Sequence, residues 1–243
     1  MKELTRRSFI KTTTKASIAA AIIPALPWGC TNQSWVDKSG YFESGFGIND
    51  NLCQKVLARA LYRGGDFADL YFEHTISNWL ILEDGQVNQA YGTVALGVGI
   101  RTVKGDQVGY GFTQELTEST MLAAASTAAT IADSTPKDPA SQFVKQKLEN
   151  YYPLETLLTS IPVESKLPLV QSANDKCFAL SPLIIKVNAG FHDEQKRILV
   201  VTSDGTKAED LLPKNYLYAS VVAEKDGKRE RAGWNLGGRW DFS

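Results

Sequence analysis

The sequence predicts an α+β fold, an antiparallel sheet with helices on one face, and three observations predict it. Glycine turns, most of them Asp-Gly, recur between alternating apolar runs, the mark of tight hairpins. Stretches with apolar residues three and four apart alternate with the strand runs, as amphipathic helices require. The order helix, strand, hairpin, second hairpin then occurs twice, which implies internal duplication of the helix/hairpin pattern. The spacing agrees: Gly85 and Gly105 are 20 positions apart, and Gly205 and Gly227 are 22.

The first 30 residues read as an export signal that precedes this fold. A basic segment carries Lys2, Arg6, Arg7, Lys11 and Lys15, and an apolar run over residues 18–26 follows that is too short for a stable membrane span. Thr5-Arg6-Arg7-Ser8-Phe9-Ile10-Lys11 resembles the bacterial twin-arginine signal, which implies export of an already folded protein. Arg6 and Arg7 are the signal residues. Gly29 before Cys30 makes Cys30 a candidate lipidation site, against simple cleavage nearby. Pro27, where a lipobox usually has Leu, departs from the pattern. The expected location is therefore periplasmic or membrane-tethered, with the membrane touched only through that lipid.

Residues 31–48 read as a spacer. Residues 49–63 predict a helix, with Asn49 or Asp50 as cap, an apolar stripe of Leu52, Val56, Leu57 and Leu61, and Gly64-Gly65 as the stop. Strands are predicted over 69–74, 79–83, 86–91, 94–103 and 107–113, with turns at Asp84-Gly85 and Lys104-Gly105-Asp106. Thr117 caps a helix through Ala132, followed by a proline-bearing loop over 133–140. A third helix is predicted over 167–180, with Pro168 in its first turn. Strands over 183–191, 197–202 and 216–224 follow, then an edge strand and an exit loop. Gly97, Gly99, Gly109 and Gly111, spaced by two, predict bare strand faces on which a helix or another backbone packs closely.

Composition narrows the function. The chain has 243 residues, 26 Lys plus Arg and 27 Asp plus Glu, for a net charge of -1. Without residues 1–29 it keeps 21 basic and 26 acidic residues, a net charge of -5, which disfavours nucleic acid as a partner. Three cysteines are too few for a disulfide-built fold. His74 is expected at a strand end and His192 at a strand-to-turn junction. Neither has a metal-site spacing, so each reads as a structural histidine, with Asp193 and Glu194 off the face of His192. Cys53 and Cys177 read as small core side chains. No catalytic and no metal-ligating residue is assigned in this chain. The stretch from Asp226 through Trp240 mixes basic residues, tryptophans and glycines. Lys228, Arg229, Arg231, Trp234 and Arg239 are its candidate contacts for an extended peptide or a partner; the other reading is a solvated hairpin.

Five segments carry a family resemblance: residues 65–72 (GDFADLYF), 79–85 (WLILEDG), 97–103 (GVGIRTV), 202–205 (TSDG) and 224–231 (EKDGKRER). In this order they resemble the TldD/PmbA family of zinc-dependent metallopeptidases, closer to its TldD branch, over residues 49–243. The resemblance implies the family's N-terminal α+β domain. It places the zinc site, an H-E-x-x-x-H helix and a later Cys, in a following catalytic domain that this chain lacks, so no cofactor is expected here and no ligand is carried over. It implies unfolded peptide as substrate, and as partner a catalytic C-terminal domain or a TldD/PmbA-like subunit in a dimer. The chain would then be the front portion of a peptidase, apparently truncated, forming chamber wall and dimer contacts without catalytic residues. The alternative is a non-catalytic exported module that binds a peptide or partner.

Overall fold

The computed structural model describes residues 40–242. The segment expected to be an export signal, with Arg6, Arg7 and Cys30, lies outside the described residues. The chain runs α1 (Tyr41–Phe46), α2 (Asp50–Leu61), β1 (Phe67–Glu83), β2 (Gln86–Lys104), β3 (Gln107–Thr113), α3 (Glu118–Ala128), β4 (Val144–Lys145), α4 (Val163–Ala179), β5 (Ile184–Thr202), β6 (Thr206–Lys225) and β7 (Lys228–Gly238). The strands form one sheet in the order β3-β2-β1-β5-β6. β7 continues it along the second half of β6, and β4 adds a short parallel pair at the start of β6. All other pairings are antiparallel.

Local chemistry explains the ends of these elements. Asn49 caps α2, its Oδ1 accepting from Leu52 N–H at 3.0 Å, and Thr117 caps α3 by accepting from Thr120 N–H at 3.3 Å. Asp84 and Gly85 have φ of 50° and 81°, and Asp226 and Gly227 have 52° and 73°. Positive φ at both central positions defines the turn whose twist suits a two-residue hairpin.

The middle of the sheet is the pairing of β1 with β5, in register from Asp69 opposite Thr202 to Glu83 opposite Asn188. Each side of that seam repeats one plan: a helix, a long hairpin, and a shorter strand along the second half of the hairpin's second strand. Both cores lie on one face. At one end Ala68, Leu70 and Phe72 of β1, Val98 and Ile100 of β2, and Leu199 and Val201 of β5 pack under α2 and α3. At the other end Leu80 and Leu82, Val187, Ala189 and Phe191, with Val221 of β6, pack under α4 around Val170. Each fully buried Leu or Phe contributes roughly 1.5–3 kcal/mol.

Several expectations are corrected. The short strands predicted over 69–74 and 79–83 are one strand, as are 86–91 with 94–103, and 183–191 with 197–202. The polar residues that seemed to interrupt them are the middle of the sheet, between the two cores. His74 and His192 therefore sit mid-strand, neither at an end nor at a turn. α3 ends at Ala128 and a single 3-10 turn, Ala129–Ile131, carries the chain to Ala132. α4 begins four residues early, at Val163, which places Pro168 inside it on an exposed surface. The stretch read as spacer contributes α1, and its Phe42 and Ile48 are fully buried in the first core. β7 runs on to Gly238, so residues 235–238, expected in the exit loop, belong to the strand.

Candidate functional site

Between the two cores the helix-side face of the sheet turns polar. Asp193 of β5 is buried and meets Lys166 of α4 at 2.8 Å, with side chains 1% and 4% exposed. Asn78 of β1 donates to the other Asp193 oxygen at 2.9 Å, and Lys166 also donates to the Leu158 carbonyl at 3.3 Å. Two residues along, Gln195 accepts from Thr159 at 3.3 Å. At the far end of this seam His74 Nδ1 and the Tyr41 hydroxyl share a hydrogen bond of 2.6 Å, and the Arg197 guanidinium lies 4.2 Å from the Tyr41 ring centre. Burial, and then the charge of Arg197, hold the His74 pKa below its ordinary value. Glu209 of β6 closes the arrangement by accepting from the N–H groups of Gly40, Tyr41 and Phe42 at 2.6, 2.9 and 3.3 Å. The groups of this seam are engaged with one another, so it pins α1 and α4 to the sheet.

The opposite face carries no helix among the described residues. There Trp79 stacks on His192 at 3.8 Å between centroids, with Tyr91 6.2 Å from Trp79 and Tyr216 5.1 Å from His192. His192 is 3% exposed and its Nδ1 has no hydrogen-bond partner. Burial is the main reason its pKa falls below the ordinary value; the charges of Glu194 and Asp193 oppose that and Lys214 adds to it. Strand alternation puts Asp193 on the other face, as expected from sequence, but Glu194 shares the face of His192, which corrects the expectation for that residue.

The metallopeptidase resemblance implies a metal, and the described residues do not fit one. Zinc takes three or four convergent N, S or O donors. His74 and His192 lie on opposite faces of the sheet, the first bound to Tyr41 and the second between aromatic rings. Cys53 is sealed in the first core, where burial pushes its pKa up to about 12 and keeps it a thiol. Among the described residues no three His, Cys, Asp or Glu side chains converge.

The five candidate contacts on the last strand share an edge and not a face. Arg229, opposite Glu224 and paired with it at 2.6 Å, and Arg231, opposite Val222, project to the helix-free side. Lys228 and Trp234 project to the helix side, with Trp234 59% exposed. Arg239 lies past the strand end, 4.9 Å from the Tyr152 ring centre. The other long edge is unlike it. β3 pairs with β2 only from Val98 onward, so residues 86–97 have no outer strand partner among the described residues, and 86–95 are exposed.

Sequence reasoning missed the Lys166–Asp193 pair. Lys166 fell just outside the predicted helix and Asp193 just past the predicted strand; a lysine in phase with Val170 and Asn174 is the signal that marks it once α4 starts at Val163.

Two family models match the chain: the PmbA/TldA metallopeptidase domain 1 over residues 68–132, and the PmbA/TldA metallopeptidase central domain over residues 157–243. A metalloprotease TldD homolog of Haemophilus influenzae is 29% identical over 182 residues, covering 74% of this chain and 38% of that protein. The homolog of Buchnera aphidicola subsp. Acyrthosiphon pisum is 26% identical over 196 residues, covering 81% and 41%. The chain thus spans about two fifths of the length of these curated relatives. A crystal structure described as a modulator of DNA gyrase from Bacteroides thetaiotaomicron superposes with TM-score 0.64 at 16% identity, over 79% of this chain and 46% of that one. TldE from Thermococcus kodakarensis superposes with TM-score 0.52 at 16% identity, over 77% and 43%. These structural likenesses concern the fold.

Proposed function

The chain belongs to the PmbA/TldD metallopeptidase family, and on that premise we propose that it supplies the non-catalytic scaffold of a peptidase acting on unfolded peptides. It forms wall and assembly contacts. A catalytic domain or a TldD/PmbA-like subunit supplies the zinc-holding residues and the hydrolytic chemistry. The observation that carries this reading is the placement of the chain's two histidines on opposite faces of one sheet, each held by aromatic neighbours. A sheet with one open face and long exposed edges is suited to walls and contacts, not to activating water. Metal analysis and a peptidase assay on the purified chain test it. The expected outcome is no stoichiometric zinc and no cleavage of an unfolded peptide; one tight zinc per chain, or cleavage by the chain alone, overturns it.

We also propose that the protein is exported by the twin-arginine route, with Cys30 as its lipid tether. The support is the Arg6-Arg7 motif and the Gly29-Cys30 step that follows the apolar run. Replacing Arg6 and Arg7 together by Lys is expected to leave the protein in the cytoplasm, read by fractionation; undiminished export counts against the route. The second reading, an exported peptide- or partner-binding module, draws on the exposed Arg231 and Trp234 of β7. It differs in requiring no catalytic partner for function.

A further inference from the structure

We propose that Trp79 and Tyr91, with Glu194 beside them on the open face of the sheet, form a slot for the guanidinium of an arginine in an extended peptide. The inference rests on the peptide reading above and deepens it by naming a side chain that the peptide carries.

Four rings stand in a row across the strands. Tyr91, Trp79, His192 and Tyr216 are successive register partners on β2, β1, β5 and β6. Their spacing is uneven. Trp79 lies against His192 with 3.8 Å between centroids and 26° between planes, a filled stack. On the other side of Trp79 the Tyr91 ring is more nearly parallel, at 13°, but its centroid is 6.2 Å away. A planar group held between two rings needs about 7 Å, twice the ~3.5 Å contact of carbon atoms, so one ring has to yield by about 1 Å. Trp79 is backed by His192 and forms the fixed wall. Tyr91 is 47% exposed at the outer end of the row and forms the wall that yields.

Charge selects the planar group. Glu194 shares this face and lies diagonal to Trp79, a separation that long side chains span across strands. Asp69, Glu73, Glu83 and Glu224 of the same face each hold a cation: Arg101, Lys196, Lys186 and Arg229 in turn. Glu194 makes no ion pair among the described residues. Its register partner Lys214 stands on β6, one strand farther from the slot. Between Glu194 and the slot lie only Ser77 and Thr93, whose short side chains leave the approach low. His192 adds no opposing charge, because burial holds its pKa below the ordinary value and keeps the imidazole neutral at pH 7. A flat cation that stacks on aromatic faces and donates in-plane hydrogen bonds to a carboxylate is a guanidinium. A compact ammonium does not fill a space between parallel rings, and a neutral planar group leaves the Glu194 charge unmatched.

The experiment is titration calorimetry on the purified chain, with circular dichroism to confirm that each variant is folded. The probes are three unstructured peptides that differ at one position, which holds arginine, lysine or citrulline. The arginine peptide is expected to bind at least roughly tenfold more tightly than the citrulline peptide and roughly threefold more tightly than the lysine peptide. Glu194→Gln and Tyr91→Ala are each expected to remove most of that preference. Lys214→Gln is expected to tighten binding of the arginine peptide. Tyr110→Ala, which removes an exposed ring of β3 on the same face, is expected to leave the preference unchanged. Equal binding of the arginine peptide and either of the others overturns the proposal. So does a preference that survives Glu194→Gln or Tyr91→Ala, or the absence of any binding. If all three peptides bind alike, the peptide reading stands and this proposal alone falls. Zinc content and cleavage are separate measurements and bear only on that reading.

Discussion

The buried pair of Lys166 and Asp193 concentrates the electrostatic risk of this molecule in two side chains. Taking both charges from water is costly, and their mutual contact, with Asn78 donating to one Asp193 oxygen and the Leu158 carbonyl accepting from Lys166, offsets that cost. Deleting one partner leaves the other charged and uncompensated. Asp193→Ala is therefore expected to lose roughly 3–5 kcal/mol of folding stability by denaturant titration, and a loss below roughly 1 kcal/mol would contradict this account. The same pair marks the limit of reading single residues from sequence. Lys166 and Asp193 lie on different elements, and nothing local to either announces the other. Cys53 was easier, because burial on an apolar helix stripe is a local property: it sits in the first core beside Val56 and Leu57 as its spacing implies, whereas Cys177, also expected in a core, is only half-buried against the second.

At the scale of elements, what could be read from sequence was whatever is decided within a few residues. The Asp-Gly turns and the Asn49 and Thr117 caps fall where the chain places them, because positive φ and an orphan N–H are local demands. Strand continuity was not legible. Residues 74–78 and 192–197 lie over the polar seam, so the apolar alternation that marks a strand disappears there while the hydrogen-bond ladder continues. The paired glycines of β3 were legible in kind. A Cβ on Gly109 would lie 2.0 Å from the Ala128 carbonyl oxygen and one on Gly111 2.1 Å from that of Ala124, so α3 rests directly on the strand backbone. Gly111→Ala is expected to force α3 away from the sheet and cost roughly 1–3 kcal/mol, seen as a lower melting temperature. An unchanged midpoint would mean that the helix floats there.

The whole molecule is two similar halves zipped along β1 and β5; the recurring glycine turns imply the duplication but not the seam that joins the halves. The sheet's two-core division was not foreshadowed, because it depends on which face each helix covers. One consequence of the central zipper concerns the connection between the halves. Residues 144–151 are exposed, while β1 and β5 remain paired over 15 positions and α4 stays anchored by its buried lysine. A protease that cuts once within this connection is expected to yield fragments that co-elute in native buffer and part only in denaturant. Fragments that drift apart unaided would refute the expectation. The covalent link there acts as a leash and not as a girder, and two separately expressed pieces meeting at that point should reassemble without it.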